Sequence, residues 1–388
     1  MPRTTGTYAS TVAGGETVRA FVPHSLPPRD PPVRLTGDLA GNLRTAQEAL
    51  VRLEHSGAMV PDLDWFIYGF VRKEAVVSSQ IEGTQASLTD LLAFEARLAG
   101  ETAAAADVQE VSNYLDALAW ARSQVGDPAG LPLSVRLLHG AHKRLLHGAR
   151  GKGKGPGDVR RTQNWVGGTR PGNATFVPPP PHLVGPLLTD LERWLHADDA
   201  LPPLVRVGLA HVQFETIHPY LDGNGRIGRL LVTLLLEHWG LLSQPLLYLS
   251  LHFKRHREEY YRRLGAVRTK GDWEGWLLFF LDGVRTIADD AVASAREMFA
   301  LVSADRARVL AHPDASLSAL RLFEALPRNP FVTVSVAMRL TGTTKPTAGR
   351  AIEALVAAGV LTETSGRKRD RSWAYRAYLS RLQVGTEL

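Results

Sequence analysis

The sequence predicts a mainly α-helical protein with one β-hairpin and a small separate domain at its C-terminal end. Apolar residues recur at helical spacing from Leu204 to Ile217. Leu230 to Trp239 is almost wholly apolar over about three turns, as in a buried helix. Two β-prone runs before the prolines at 178–181 predict the hairpin. Helices therefore form the framework, and the stretch between 217 and 230 joins its two most apolar members.

Length and composition limit the class of protein. At 388 residues the chain is long enough for two or three domains and an ample core. The absence of cysteine excludes disulfides and thiolate metal sites. No apolar window of ~18 residues is present, and the N-terminus has no apolar signal core. We therefore expect a soluble, cytoplasmic protein without a membrane partner.

The net charge of +6 arises in one part of the chain. Residues 315–388 contain 11 basic and 5 acidic residues, whereas the remaining 34 basic and 34 acidic residues cancel. A nucleic-acid surface is therefore expected in the C-terminal fifth of the sequence.

The first third of the chain divides into an arm and a helical region. Residues 1–34 combine prolines and glycines with little periodicity, which predicts an extended or partly disordered N-terminal arm. Residues 35–126 form the N-terminal helical region. Its predicted helices lie at 43–53, 61–81, 88–98 and 108–125.

The helix predicted at 61–81 runs into Ser78-Ser79-Gln80-Ile81-Glu82-Gly83. Ser78 and Glu82 are four residues apart and share a helix face, and Gly83 is a natural C-terminal cap. A carboxylate at this end of a helix faces the negative end of its dipole. Taken alone, such a glutamate is usually a solvated surface residue.

Residues 127–300 are expected to form the core of the helical framework. A helix at 133–146 carries histidines, for which a structural or solvated role is expected because no further ligand cluster is evident. After a glycine-rich loop, β-prone runs at 159–168 and 174–177 flank a Gly/Pro/Asn turn and predict the hairpin. Further helices are predicted at 183–195, 253–267 and 273–300.

The loop after Ile217 has the composition of an anion site. Pro219 ends the preceding helix, because proline lacks an amide donor. Gly223 and Gly225 allow close backbone approach and positive φ, and Asn224 is the next most tolerant residue. Amides turned inward at the N-terminus of the following helix would form a phosphate cradle.

Charged residues surround this loop. Arg226 and Arg229 are three apart in the first turn, where cations are unfavourable unless an anion is present. Asp222 supplies a hard oxygen ligand, as magnesium on a phosphate chain requires. His218 is the one nearby side chain that can take a proton near neutral pH. Each feature alone is common in turns and solvated faces; their coincidence in twelve residues is informative.

Residues 314–388 differ in character from the core. Short amphipathic helices at 317–326, 334–340 and 347–358 precede two β-prone runs around a basic turn. This is similar to a winged helix, a helix-turn-helix followed by a β-hairpin wing. Lys345 and Arg350 would then face DNA, with the basic wing tip on phosphate. Such domains also serve as protein-docking or dimer modules, so DNA and a homodimer both remain open as partners.

The stretch 218–229 resembles the signature of the Fic family, His-Pro-Phe-x-(Asp/Glu)-Gly-Asn-Gly-Arg-x-x-Arg. Every defined position matches except Tyr220, which stands where the family usually has Phe. The resemblance covers residues 35–300 and implies a Fic-type helical core with a β-hairpin flap. The activity it implies is a protein adenylyltransferase, which transfers AMP from ATP to a Ser, Thr or Tyr hydroxyl of a target protein.

The same resemblance implies roles for individual residues. His218 would deprotonate the target hydroxyl, and Asp222 would hold Mg2+. Tyr261 matches a tyrosine that lines the adenine pocket, although Arg268 stands where some relatives have an adenine-contacting Asn. The residues expected to bind the nucleotide or align the target are Asp222, Gly223, Asn224, Gly225, Arg226, Arg229, Val166, Gly167, Gly168, Thr169 and Tyr261.

The family resemblance extends to an inhibitory pattern, Ser/Thr-x-x-x-Glu-Gly/Asn, which Ser78, Glu82 and Gly83 match. It implies that Glu82 pairs with Arg229 and takes the place that the γ-phosphate of ATP needs. The enzyme would then be held inactive at rest.

Two alternatives remain from the sequence. The same fold could transfer UMP, phosphate or phosphocholine, or remove AMP from a modified protein. The chain could instead be a DNA-binding regulator whose core senses a nucleotide. His218 and Asp222 argue against a sensor, because a sensor needs the cradle but no base.

Overall fold

The computed structural model describes residues 3–58, 63–96, 104–148, 151, 153–366 and 370–388. They form two compact units: residues 1–51 with 112–288, and residues 52–111 with 289–388. This division groups residues differently from the segments 35–126, 127–300 and 314–388 expected from the sequence.

The elements in chain order are β1 (Gly6–Ala13), β2 (Glu16–Pro23), α1 (Gly37–Ala58), α2 (Leu63–Ile81), α3 (Leu88–Glu95), α4 (Ala104–Gly126), α5 (Val135–Leu145), α6 (Pro181–His196), α7 (Pro203–Ile217), α8 (Asn224–His238), α9 (Ser250–Arg255), α10 (Arg257–Lys270), α11 (Trp273–Ala311), α12 (Leu317–Ala325), β3 (Phe331–Thr333), α13 (Val334–Thr341), α14 (Lys345–Ala357), β4 (Thr362–Glu363), β5 (Ser372–Ala374) and α15 (Arg376–Leu382).

The N-terminal segment of the first unit is more regular than expected. Residues 1–34 were expected to be an extended or partly disordered arm, but β1 and β2 within them pair as an antiparallel hairpin. Gly14 and Gly15 form its turn, both with positive φ, 53° and 83°, as a two-residue hairpin loop requires. The Phe21 N–H donates to the Val177 carbonyl at 2.9 Å. One small apolar cluster joins the hairpin to the chain near Val177: Ala13, Val18, Ala20 and Val177.

The centre of the first unit is α7. Every residue from Leu204 to Ile217 is buried, so this helix is surrounded by protein along its whole length. It can lie close to α11 because a Cβ at Gly208 would already approach Leu277 and Phe280 to 3.0 Å. The Trp276 indole N–H donates to the Gly208 carbonyl at 2.9 Å. The end of α7 is therefore held at a defined position.

The second unit contains α2, α3 and the C-terminal elements. β3, β5 and β4 form an antiparallel sheet in that order, and Gly342, in a left-handed conformation, separates α13 from α14. The basic wing tip expected from the sequence includes residues 367–369, which lie outside the described residues. The helix expected at 273–300 continues as one helix of 39 residues to Ala311. No helix in the described parts of the chain has the length and apolar character needed to cross a membrane.

Candidate active site

The backbone between α7 and α8 forms a tight loop. His218 caps the C-terminal end of α7. It is a non-glycine residue with positive φ of 49°, and its N–H donates to the Phe214 carbonyl at 2.9 Å. Gly223, with φ of 77°, precedes α8. A left-handed conformation at a histidine is unfavourable, so the surrounding contacts must maintain it. The side chain of His218 thus projects from a constrained turn.

Asn224 closes this loop through its side chain. Its Oδ1 accepts from the Tyr220 N–H at 2.8 Å, and its Nδ2 donates to the Tyr220 carbonyl at 2.8 Å. The Gly223 N–H donates to Asp222 Oδ1 at 2.6 Å. The first intrahelical bond of α8 runs from the Ile227 N–H to the Gly223 carbonyl. The earlier amides of α8 therefore have no acceptor within the helix and can face an anion.

Two arginines contribute positive charge to the first two turns of α8. Arg226 and Arg229 are 5% and 3% exposed, which is unusual for arginine. One guanidinium nitrogen of Arg226 lies 3.5 Å from Asp222 Oδ1, and the Asp222 side chain keeps 43% of its surface exposed. Buried cations, an exposed carboxylate and helix N-terminal amides together match the chemistry of a phosphate chain with a metal ion.

The hydroxyl of Tyr220 forms a hydrogen bond that the phenylalanine usual at this position of the family could not form. It is hydrogen-bonded to Nδ1 of His139 at 2.9 Å, and the Tyr220 ring stacks on the ring of His142 with centroids 3.7 Å apart. Burial lowers the pKa of both histidines, that of His142 to about 4. Both are therefore neutral at pH 7, and they support the loop, in agreement with the structural role expected for them.

The tautomer of His142 is fixed by its contacts. The Gly157 N–H donates to Nδ1 at 2.9 Å, so Nδ1 carries no proton. Nε2 must then carry the proton and donates it to the Asp222 carbonyl at 3.0 Å. The His142 ring therefore joins Gly157, in the glycine-rich loop, to Asp222, the candidate metal ligand.

Residues 159–177, the predicted hairpin that we call the flap, are irregular rather than a complete hairpin. A single antiparallel bridge pairs Val166 with Phe176, through backbone bonds of 2.8 and 3.1 Å. The turn contains a 3-10 helix at Pro171–Asn173, where prolines limit further pairing. Gly168 has φ of 71°, and a Cβ there would lie 2.5 Å from the Asn173 carbonyl oxygen. Glycine is therefore required at this position of the predicted flap.

Of the other predicted flap residues, Gly167 also has a positive φ, 69°, and Thr169 donates its N–H to Asn173 Oδ1 at 3.0 Å. Gly167, Gly168 and Thr169 are exposed. Arg160, at the start of the flap, is 3% exposed. Burial lowers the pKa of Arg160 to about 10, which still leaves it charged at pH 7. The local sequence pattern predicts no role for Arg160.

The tyrosine pair on α10 separates into a buried and an exposed member. Tyr260 is 1% exposed, whereas Tyr261 is 42% exposed and can contact a ligand. The Tyr260 hydroxyl is bonded to Nε2 of His211 at 2.9 Å, and Nδ1 of His211 lies 3.1 Å from the Gly228 carbonyl. His211 thus joins α10 to α8, a long-range contact without a local sequence signal.

Arg268 stabilises the flap. Its guanidinium carbon lies 3.8 Å from the centroid of the Phe176 ring, and its Nε donates to the Leu264 carbonyl at 3.0 Å. Burial lowers the pKa of Arg268 to about 10. At the position where some relatives have an adenine-contacting Asn, this chain therefore has a residue that packs on the flap.

The remaining predicted site residues lie in the second unit, at the end of α2. Ser78 is fully buried. The Glu82 N–H donates to the Ser79 carbonyl at 3.0 Å, and the Gly83 N–H donates to the Gln80 carbonyl at 3.0 Å. Gly83 has φ of 97°, as expected of a C-terminal cap. Within the described residues, no group of three or more metal-binding side chains is present.

Two segments of the chain match known family patterns. The Fic/DOC family N-terminal pattern matches residues 40–123, and the Fic/DOC family pattern matches residues 132–236. Over these two segments, which together make up just under half of its length, the chain matches the Fic/DOC family.

Relatives and solved structures agree with this assignment. The chain is 35% identical over 128 residues to a protein adenylyltransferase Fic of Culex quinquefasciatus, covering 32% of this chain and 23% of the relative. It is 37% identical over 87 residues to a probable protein adenylyltransferase of Aquifex aeolicus, covering 22% of this chain and 25% of the relative. The chain thus spans about a quarter of the length of these relatives.

A crystal structure of a Fic family protein from Desulfovibrio desulfuricans G20 has the same fold. Its TM-score is 0.57 at 22% identity, covering 89% of this chain and 98% of that one. Fic-1 from C. elegans gives a TM-score of 0.52 at 21% identity, covering 66% and 73% of the two chains.

Proposed function

We propose that this chain is a protein adenylyltransferase that transfers AMP from ATP to a hydroxyl side chain of a target protein. The observation that carries the proposal is the loop between α7 and α8. It combines a constrained His218, N-terminal amides that have no acceptor within α8, and two buried arginines. The names of the relatives, protein adenylyltransferases, support the same reaction.

The reaction divides among these groups as follows. His218 accepts the proton of the target hydroxyl, whose oxygen forms a bond to the α-phosphorus of ATP. The bond between that phosphorus and the oxygen bridging to the β-phosphate breaks, and pyrophosphate leaves. The amides at the start of α8 stabilise the charge that develops on the phosphate. Arg226 and Arg229 hold the remaining phosphates.

Magnesium fits the residues at the loop. Mg2+ is usually held by one or two carboxylates together with substrate phosphates, rather than by a full protein cage. Asp222 supplies one such carboxylate, with 43% of its side chain exposed next to the cradle. A bound Mg2+ would neutralise phosphate charge there.

The flap and α10 determine what binds next to the nucleotide. Val166 to Thr169 lies along the exposed turn of the flap, where an extended segment of the target can pair as an added strand. Tyr261 is exposed enough to contact the adenine. These assignments fit a protein substrate, since a small molecule would need no such strand.

We infer autoinhibition from the match of Ser78, Glu82 and Gly83 to the inhibitory pattern of the family. In this proposal Glu82 would compete with the γ-phosphate of ATP for Arg229, and ATP would then bind unproductively. Glu82→Gly should raise self-modification, and Arg229→Ala added to it should lower the rate again because the phosphate loses its anchor. Equal rates for wild type and Glu82→Gly would contradict autoinhibition and leave the catalytic assignment standing.

A nucleic-acid partner is supported by one observation in the second unit. Lys345 and Arg350 are both exposed on the first half of α14, which follows the left-handed turn at Gly342. Exposed basic residues on a helix that follows such a turn would suit the recognition helix of a winged-helix domain. We infer that this domain binds duplex DNA.

The group that is transferred can be identified from which phosphate of ATP carries the label that reaches the protein. The Glu82→Gly variant is incubated with Mg2+ and ATP labelled on either the α- or the γ-phosphate, with labelled UTP in parallel. Label from α-labelled ATP alone is expected. Label from γ-labelled ATP would indicate phosphate transfer, and label from UTP alone would indicate UMP transfer.

A further inference from the structure

Arg160 joins the flap to the catalytic turn. Its Nε donates to the His218 carbonyl at 2.9 Å, and its own N–H donates to the Pro219 carbonyl at 2.9 Å. Two consecutive peptide groups at the end of α7 are therefore oriented by one residue. These are the two carbonyls that follow the left-handed conformation of His218.

The same guanidinium binds the flap. One terminal nitrogen donates to the Pro179 carbonyl at 2.5 Å, and the other lies 3.4 Å from the Thr162 carbonyl. A planar guanidinium can serve acceptors in several directions at once, whereas an ammonium group on a flexible stem cannot hold this geometry. The site is 3% exposed, so water does not readily replace these bonds.

We propose that Arg160 is a positioning residue, which fixes the direction of the His218 ring relative to a target segment held on the flap. This rests on the proposed function. The phosphate cradle lies beyond Tyr220, where Asn224 and His142 hold it, and substitution of the Arg160 side chain leaves its main-chain bond to the Pro219 carbonyl in place. Loss of Arg160 should therefore affect the chemical step more than nucleotide binding.

The test uses Arg160→Lys and Arg160→Gln in the Glu82→Gly background, with Arg161→Gln as the matched control at the neighbouring exposed arginine. At saturating ATP, self-modification should fall about a hundredfold in the Arg160 variants, as expected for a misplaced catalytic group. ATP affinity, measured by calorimetry, should stay close to that of the parent, and Arg161→Gln should match the parent in both measurements.

A parallel loss of rate and ATP affinity would mean that Arg160 only supports the fold, and it would overturn the proposal. Full activity of Arg160→Lys would overturn it as well. If His218→Ala in the same background were as active as the parent, the proposed function itself would fail, and the two failures are thereby distinguished.

A second, independent inference concerns the second unit, where the C-terminal segment contacts the last turn of α2. Nε2 of Gln80 donates to the Thr386 carbonyl at 2.9 Å and to the Ala86 carbonyl at 2.9 Å. The Thr89 hydroxyl donates to Gln383 Oε1 at 3.2 Å. Thr386 is 1% exposed. Gln80 lies between Ser78 and Glu82 in sequence.

The contact continues along α2. A Cβ on Gly69 would come within 2.8 Å of a methyl carbon of Leu382, and the Trp65 ring packs edge-on against Tyr378 at 6.1 Å. Leu382 and Tyr378 are both buried. Since residues 65, 69 and 80 recur at helical spacing, one face of α2 lies against the C-terminal segment. Residues 78 and 82 are each two positions from Gln80, roughly 160° away around the helix axis, and so lie on another face.

We propose that residues 376–386, which we call the C-terminal brace, hold α2 in its inhibitory position. This rests on the proposed autoinhibition by Glu82. The brace follows β5 directly, so it belongs to the small C-terminal domain. A partner that displaces the brace would release the last turn of α2 and raise AMP transfer.

The test introduces Gln80→Glu in the full chain, which places a carboxylate opposite two carbonyl acceptors. The control is Arg381→Ala on α15, whose side chain donates within its own helix to the Ala377 carbonyl at 3.1 Å. Self-modification with α-labelled ATP should rise roughly tenfold in Gln80→Glu, from the loss of two hydrogen bonds. The control should equal wild type. Gln80→Glu added to Glu82→Gly should give no further rise, because both release the same inhibition.

If Glu82→Gly is activated and Gln80→Glu is not, the brace is contradicted and autoinhibition stands. If Glu82→Gly itself is not activated, autoinhibition fails and the brace fails with it. A loss of activity when Gln80→Glu is added to Glu82→Gly would show that the contact only supports folding, and it would also overturn the proposal.

Discussion

The hydroxyl of Tyr220 gives a sharply testable contact under the catalytic loop. The ring is 1% exposed, and its hydroxyl lies 2.9 Å from His139 Nδ1. Burial raises the pKa of Tyr220 and lowers that of His139, so both are neutral at pH 7 and the bond is uncharged. Tyr220→Phe restores the usual family residue but leaves His139 without this partner.

Tyr220→Phe is expected to lower the free energy of local opening by about 1 kcal/mol, because one partner of a neutral hydrogen bond is left behind. This corresponds to an increase of about fivefold in the equilibrium constant for local opening. Hydrogen exchange of the peptide containing residues 218–229 measures this opening. It avoids a two-state assumption, which a chain of two units does not satisfy. Protection in Tyr220→Phe should fall about fivefold by the same estimate.

Two variants complete the experiment. Tyr8→Phe makes the same change at a tyrosine that is 50% exposed and should leave this peptide unaffected. His139→Phe added to Tyr220→Phe should restore part of the protection, because replacing both partners by apolar groups removes the unpaired nitrogen. Unchanged or increased protection in Tyr220→Phe would refute the stabilising role of the bond.

Three further results are expected. His218→Ala should abolish AMP transfer and leave ATP binding largely intact in calorimetry, since the cradle does not include its side chain; wild-type transfer would show the base to be misassigned. The full chain should bind duplex DNA in gel shifts, with an affinity that falls as the salt concentration rises. The double variant Lys345→Ala/Arg350→Ala should bind DNA more weakly. No binding at low salt would favour a protein-docking role for this domain. Burial lowers the pKa of His211 to about 3, against about 6.5 when unfolded. The unfolded chain therefore binds more protons between those values, so stability is complete above about pH 6.5 and declines as the pH falls toward 3. His211→Gln should flatten this decline when it is measured as hydrogen-exchange protection of the peptide containing residue 211, and an equally steep decline would contradict the role of His211.

The catalytic turn could be predicted from sequence because its residues impose local backbone conformations. Pro219 ends α7, and Gly223 adopts the positive φ that the entry to α8 requires. The contacts that hold the turn could not be predicted in the same way. His139 is bonded to a residue 81 positions away, and Arg160 to a carbonyl 58 positions away. Nothing in the local pattern around either residue indicates these pairings.

Other differences have physical causes that the sequence contains. β1 and β2 flank Gly14-Gly15, a two-residue turn between β-prone runs, which is a hairpin signal. The prolines of the N-terminal segment instead favoured the prediction of an extended or partly disordered arm. In the flap, Pro171 and the prolines from 178 remove donors that a longer ladder would need, so a single bridge forms between Val166 and Phe176.

The most direct test of AMP transfer by this loop is peptide mass spectrometry of Glu82→Gly and Glu82→Gly/His218→Ala after incubation with ATP and Mg2+. AMP attached to a Ser, Thr or Tyr side chain is expected in the first variant and none in the second. AMP attached to the same extent in both would show that His218 does not carry the reaction, and its absence from both would contradict AMP transfer by this chain.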